Sequence, residues 1–148
     1  MKKIFTILVA LIAFYNSSIA QCNQELWKHV YHPNRLVIYK KCVIVTGVIF
    51  AVKKEKDGDY HIQLKLDKGQ PRFLNTKNMT VQKGCLVIEP ICIKTPTQAD
   101  AIQPCKNCPT IQIPKKGDHV KVTGSFVRDS EGNHGWNEIH PVSAIEIL

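Results

Sequence analysis

The chain has 148 residues, a formal net charge of +8 and apolar side chains at 44% of its positions. That is the length of one domain, with enough apolar material for an unaided core, which excludes a multidomain protein and a scaffold held by its cysteines alone. Past the first twenty residues no segment is apolar enough to cross a bilayer, so no stable membrane span is expected there.

In chain order, Lys2 and Lys3 precede an apolar run from Ile4 to Tyr15 and a small-residue end, Ser17-Ser18-Ile19-Ala20. This is the pattern of a secretory signal peptide over residues 1–20, cleaved before Gln21, and it implies a secreted or periplasmic protein. A lipoprotein acylated at Cys22 would need a small residue where Gln21 stands. Loss of Lys2 and Lys3 leaves a balance of +6. Such a basic domain suits an anionic partner, either nucleic acid or an acidic glycan.

Residues 21–41 contain Trp27, Tyr31, His32-Pro33 and Leu36 and are expected to pack as an extension over the domain, residues 42–148. The β-branched run 42–53 predicts a first strand buried partly on both faces. Asp57-Gly58 marks a turn. From Asp59 the pattern alternates, with Tyr60, Ile62, Leu64 and Leu66 inward and His61, Gln63 and Lys65 outward. Residues 67–84 read as a polar excursion and 85–92 as strand three. A short helix or loop starting at Thr95 or Thr97 runs to Pro104. Residues 117–128 give strand four, 129–133 a turn, and HGWNEIHP opens a fifth strand that runs to Leu148.

Val45-Thr46-Gly47 and Val122-Thr123-Gly124 repeat within strands one and four. Glycine weakens a strand unless the chain bends or another backbone passes close, so the echo predicts neighbouring strands in a curled sheet. Five strands with a break between three and four predict an all-β, OB-fold-like Greek-key barrel. The segments Asp57–Ile62 (DGDYHI), Val122–Gly124 (VTG) and His134–Val142 (HGWNEIHPV) resemble secreted bacterial OB-fold proteins of uncharacterised function, over about residues 42–148. The resemblance implies the fold and carries no chemistry.

Cys22, Cys42, Cys85, Cys92, Cys105 and Cys108 admit up to three disulfides in an oxidising compartment, with a bridge from Cys92 to Cys105 or Cys108 expected. Cys105 and Cys108 also have the spacing of a redox pair or half a zinc site, but neither the strand-to-helix context nor a second close pair is present.

OB-folds bind single strands or oligosaccharides on the face of strands two and three. Here His61, Lys65, Arg72, Phe73, Trp136, Glu138 and His140 are the candidate ligand-binding residues. Alternation puts Trp136, Glu138 and His140 on one face, outward if Ile139 is in the core. Glu138 and His140 then stand roughly 6.5–7 Å apart at Cα. With His61 and Glu89 they would make a divalent-metal set, with Asp59 and His134 as further candidates. A surface hydrogen-bond network explains the same stripe. DGDYHIQL also superficially resembles the metal-binding turn of staphylococcal-type nucleases, but the acidic motif that should follow is replaced by GQPRFLNTKN. The expectation is therefore a non-enzymatic binding module without an obligatory cofactor. The alternatives are a nuclease-like metal-dependent hydrolase and an accessory or inhibitor-like protein that binds another protein.

Overall fold

The β-branched run at 42–53 belongs to a longer strand, β1 (Leu36–Lys54), in the computed structural model, which describes residues 21–148. The expected signal peptide lies outside the described residues. Four more strands follow: β2 (Tyr60–Leu66), β3 (Leu86–Ile88), β4 (His119–Asp129) and β5 (Asn137–Ile147). The protein is thus mostly β, a single mixed sheet of five strands.

Each strand has two neighbours, in the order β1-β2-β3-β5-β4 and back to β1, so the sheet closes on itself. The β3–β5 pair is parallel and the rest are antiparallel. The repeated VTG segments lie in adjacent strands, β1 and β4. Both glycines stand where no side chain fits. A Cβ on Gly47 would run into the Lys65 carbonyl oxygen, and one on Gly124 would lie 2.6 Å from the Pro141 carbonyl oxygen. These close approaches are the physical reason for glycine inside otherwise β-branched strands.

The inward faces of all five strands meet in one apolar core that includes Val45, Ile49, Ile62, Leu64, Leu86, Ile88, Val120, Val122 and Ile139. Burying a side chain of this size contributes about 1.5–3 kcal/mol. Phe73 joins this core edge-on to Phe126, with ring centroids 5.0 Å apart. It is buried, which corrects its place among the candidate ligand-binding residues.

Two expectations about elements are corrected, and the connection expected as a short helix or loop is a loop. Strand three is three residues long, since Pro90 has no N–H for the ladder. Residues 95–104 hold only a 3-10 turn, Ala99–Ala101. The α-helix, α1 (Thr76–Thr80), sits instead in the excursion before β3, where Asn75 and Asn78 form a reciprocal capping box. Asn78 then donates to the carbonyls of Cys85 (3.0 Å) and Asn137 (2.9 Å), tying the helix to the starts of β3 and β5.

The segment before β1 is shorter than expected, because residues 36–41 are already strand. Its 3-10 turns, Gln24–His29 and Pro33–Arg35, lie against the outside of the sheet. Leu26 and Val30 form a second apolar cluster with Leu36, Ile91, Cys92 and Val127, and the Trp27 indole N–H donates to Ser125 Oγ at 3.2 Å. Disulfides join Cys22 to Cys42 and Cys92 to Cys105, while Cys85 and Cys108 are free thiols. Among the described residues, no helix is long and apolar enough to cross a membrane.

Candidate functional site

The outer face of β2, β3 and β5 carries polar side chains, as alternation requires, but the face is not open to water. Glu138 and His140 are 0% exposed and Trp136 is 8% exposed. The expected outward orientation of this triplet is thus corrected to a buried one. Alternation reports which side of a strand a residue takes; it does not report what covers that side, and here the segment before β1 delivers Arg35 onto it.

Arg35 is the hub of this layer. Its guanidinium pairs with Asp129, lies 3.4 Å from Glu131, 3.9 Å from Glu89 and 4.0 Å from Glu138. Burial alone would favour its neutral form, but the charges of Glu89, Asp129 and Glu138 outweigh it and raise its pKa. Nothing in the sequence around Arg35 marks it, because its partners come from β4, β5 and the residue after β3.

Glu89 follows β3, and the backbone fixes it there: its N–H donates to the Ile139 carbonyl at 2.9 Å. His61 Nδ1 and His140 Nδ1 lie 3.0 and 2.9 Å from its two carboxylate oxygens. Burial would raise the Glu89 pKa, yet these two imidazole hydrogen bonds hold it well below the usual carboxylate range. His61 Nε2 faces Gln82 Oε1 at 3.2 Å, and Gln63 donates to the same oxygen. With acceptors at both ring nitrogens, the charged imidazolium is favoured; although burial opposes it, the His61 pKa is raised.

His140 Nδ1 also lies 3.2 Å from Glu138 Oε1, and Trp136 Nε1–H donates to Glu138 Oε2 at 3.2 Å. Burial opposes the charged ring, but contacts with Glu138 and Glu89 push the His140 pKa up to about 10. Glu138 is displaced the other way from Glu89: burial, and then the charge of Glu89, raise its pKa.

Asp59 closes the layer at the β1–β2 turn. Its N–H donates to Asp57 Oδ1, the side-chain turn expected of a D-G-D sequence, with Gly58 at φ +98°. The Asp59 side chain points inward and accepts the Cys92 N–H at 2.7 Å. Burial pushes its pKa up to about 7, against the opposing charge of His140.

Above this layer lies a cleft of about 670 Å³, between the β1–β2 turn (Glu55, Lys56, Asp57) and the β4–β5 turn (Glu131, His134). Arg35, His61, Gln82, Glu89 and Trp136 line it, with Tyr31, His32 and Gln98 contributed from outside the sheet. His134 is half-exposed, held by Asp129 Oδ2 at 2.7 Å and stacked on Trp136 with centroids 4.2 Å apart. His61 meets the same indole edge-on at 5.9 Å.

Of the residues singled out from the sequence, the fold brings together His61, Glu89, Trp136, Glu138 and His140. Lys65 is exposed elsewhere on β2, and Arg72 covers the Phe73 ring at 4.8 Å, so neither lines the cleft. Sequence reasoning missed Arg35, Gln82 and Lys56, read Tyr31 as packing over the domain, and read Asp129 only as the start of a turn. The run Asp129 to His134 held the one usable signal, a carboxylate five residues before an imidazole across a glycine turn. No known protein family, curated protein or solved structure matches the chain.

Proposed function

We propose that the chain is an exported, non-enzymatic binding module built on an OB-fold-like barrel, and that an acidic oligosaccharide is the class of ligand its cleft takes. The observation that carries this reading is the cleft itself. It lies between the β1–β2 and β4–β5 turns, beside the β2–β3 face, which is where OB-folds bind oligonucleotides and oligosaccharides. Its volume is that of a small-ligand site.

Lys56 and His32 offer donors at the rim and Gln98 keeps one amide N–H, while Lys53 pairs with Glu55 at 2.8 Å and the Tyr31 hydroxyl donates to Asp100. A nucleic acid would need bare aromatic faces for stacking. Trp136 is already stacked by His134, and Phe73 is in the core, which favours the hydroxyl-rich, anionic alternative. Glu138 and His140 are sealed beneath the floor, out of reach of a bound substrate, which favours binding over hydrolysis.

Titration of the 15N-labelled protein with a heparin tetrasaccharide and, separately, a hexathymidylate tests this. Saturable shifts at residues 53–57 and 131–136 with the tetrasaccharide, weakened at least fivefold in Lys53→Ala/Lys56→Ala, are expected. Shifts confined to other surfaces, or binding of the hexathymidylate alone, would overturn the reading.

A further inference from the structure

The buried polar layer has a feature that ligand binding in the cleft does not explain. Four carboxylates, those of Asp59, Glu89, Asp129 and Glu138, are each at most 8% exposed, and Arg35 is the one guanidinium among them. Buried carboxylates are tolerated only where their oxygens find hydrogen-bond partners or a cation. The pairing here is unfinished, because Asp59 Oδ2 and His140 Nε2 are fully buried with no hydrogen-bond partner. Native interiors leave only a few such atoms per hundred residues, each calling for an explanation, and here the two belong to side chains brought within reach of each other.

Donor atoms of Asp59, Glu89 and His140, one from each, all lie within 4.8 Å of one another. We infer that these three side chains form a binding site for a single divalent transition-metal ion of the zinc type, beneath the floor of the cleft. Two carboxylates and one imidazole suit zinc, whose ligands sit about 2.0–2.2 Å from the ion, so donor atoms a little over 3 Å apart are required. His140 Nε2 is the unpartnered ring atom, and Glu89 Oε2 lies 2.9 Å from Nδ1, so the Glu89 carboxylate must turn away from Nδ1 to share an ion with Nε2, leaving Glu138 Oε1 behind the imidazole to fix its orientation. The ion takes His140 as the neutral imidazole, and the displaced proton leaves to solvent. Glu138 is itself held by the Trp136 N–H, so this support is rigid.

A second triad, Asp59 with Cys92 and Cys105, satisfies the same distance criterion, but its two sulfurs are joined in a disulfide and offer no thiolate. The donors are therefore nitrogen and oxygen only.

The test uses mature protein stripped with chelator and titrated with zinc. One equivalent bound, a saturable rise of several degrees in Tm, and X-ray absorption showing nitrogen or oxygen at about 2.0–2.1 Å with no sulfur near 2.3 Å are expected. Asp59→Asn, which keeps the acceptor for Cys92 N–H, should lose at least tenfold in affinity, while His119→Ala, half-exposed on β4, should not. Failure of the folded wild type to bind zinc, or sulfur in the coordination shell, would overturn the inference. So would undiminished binding by Asp59→Asn. The absorption measurement needs only wild-type protein, so it decides the matter even if the variant does not fold. Loss of tetrasaccharide binding with zinc binding intact would count against the cleft and leave this site standing.

Discussion

The two faces of β5 over its buried first half, residues 137–142, are equally dry and are held by opposite physics. Ile139 points into the apolar core, whereas Glu138 and His140, on either side of it in sequence, point into the charged layer under Arg35. The apolar side is non-directional: it tolerates graded loss, each methylene removed costing a little more. The charged side is directional and works only when every partner is present, because a deserted buried charge costs far more than the pair gains. A buried face therefore says nothing about its tolerance until the kind of group upon it is known.

The sharpest way to break this contrast is Arg35→Met. Removing the hub leaves Asp129, Glu89 and Glu138 uncompensated, and a loss of about 3–5 kcal/mol is expected by urea denaturation. A loss below about 1 kcal/mol would show that the layer is held by something other than charge.

Glu138→Gln should cost less, about 1–2 kcal/mol. It retains one oxygen acceptor but cannot serve both the Trp136 N–H and His140 Nδ1–H. Combining it with Arg35→Met should give markedly less than the sum, as expected when two residues share one network, and simple additivity would dissolve the idea of a single layer. On the apolar face, Ile139→Val should cost about 0.5–1.5 kcal/mol, with no such coupling to Arg35→Met. Lys65→Ala, exposed on β2, should fall within about 0.5 kcal/mol of the wild type and serves as the reference for both faces.

The smallest expected effect is kinetic. Burial raises the pKa of the Cys85 thiol, and burial together with the Asp59 charge pushes that of Cys108 up to about 11. Raised thiol pKa values mean little thiolate below the shifted range, so native protein at pH 8 should react with iodoacetamide slowly at both positions. The Cys108 rate should climb as pH approaches 11, and denaturant should expose both thiols at once. Rapid labelling of native protein at pH 8 would contradict this.

Much of the fold was legible because period-two patterning, the D-G turn and the paired VTG glycines are local signals. They located β1, β2, β4 and β5 and the adjacency of β1 and β4. Pro90 shortened β3, and the Asn75–Asn78 cap moved the helix ahead of it, for reasons that were present in the sequence but outweighed by composition. The site was half legible. Glu89, Glu138, His140 and His61 stood out as a stripe, yet their burial depended on Arg35, which reaches them only through a chain reversal at His32–Arg35 and the Ser130 N–H donating to the Arg35 carbonyl. No periodicity encodes a partner that arrives from across the molecule.

The nineteen residues of β1 have a consequence for how the molecule comes to exist. β1 is the first of the five strands to be made, and its long ladder, from Leu36 opposite Asp129 to Val48 opposite His119, waits for the fourth. Until then a single apolar ribbon stands without its main partner, and closure over so long a span is a slow, entropically demanding search. Val37, Ile38, Tyr39, Ile44, Val48 and Phe50 remain on the surface even in the finished protein. Lys40, Lys41, Lys53 and Lys54 punctuate that ribbon, and charges so placed discourage two nascent copies from zipping together before β4 arrives.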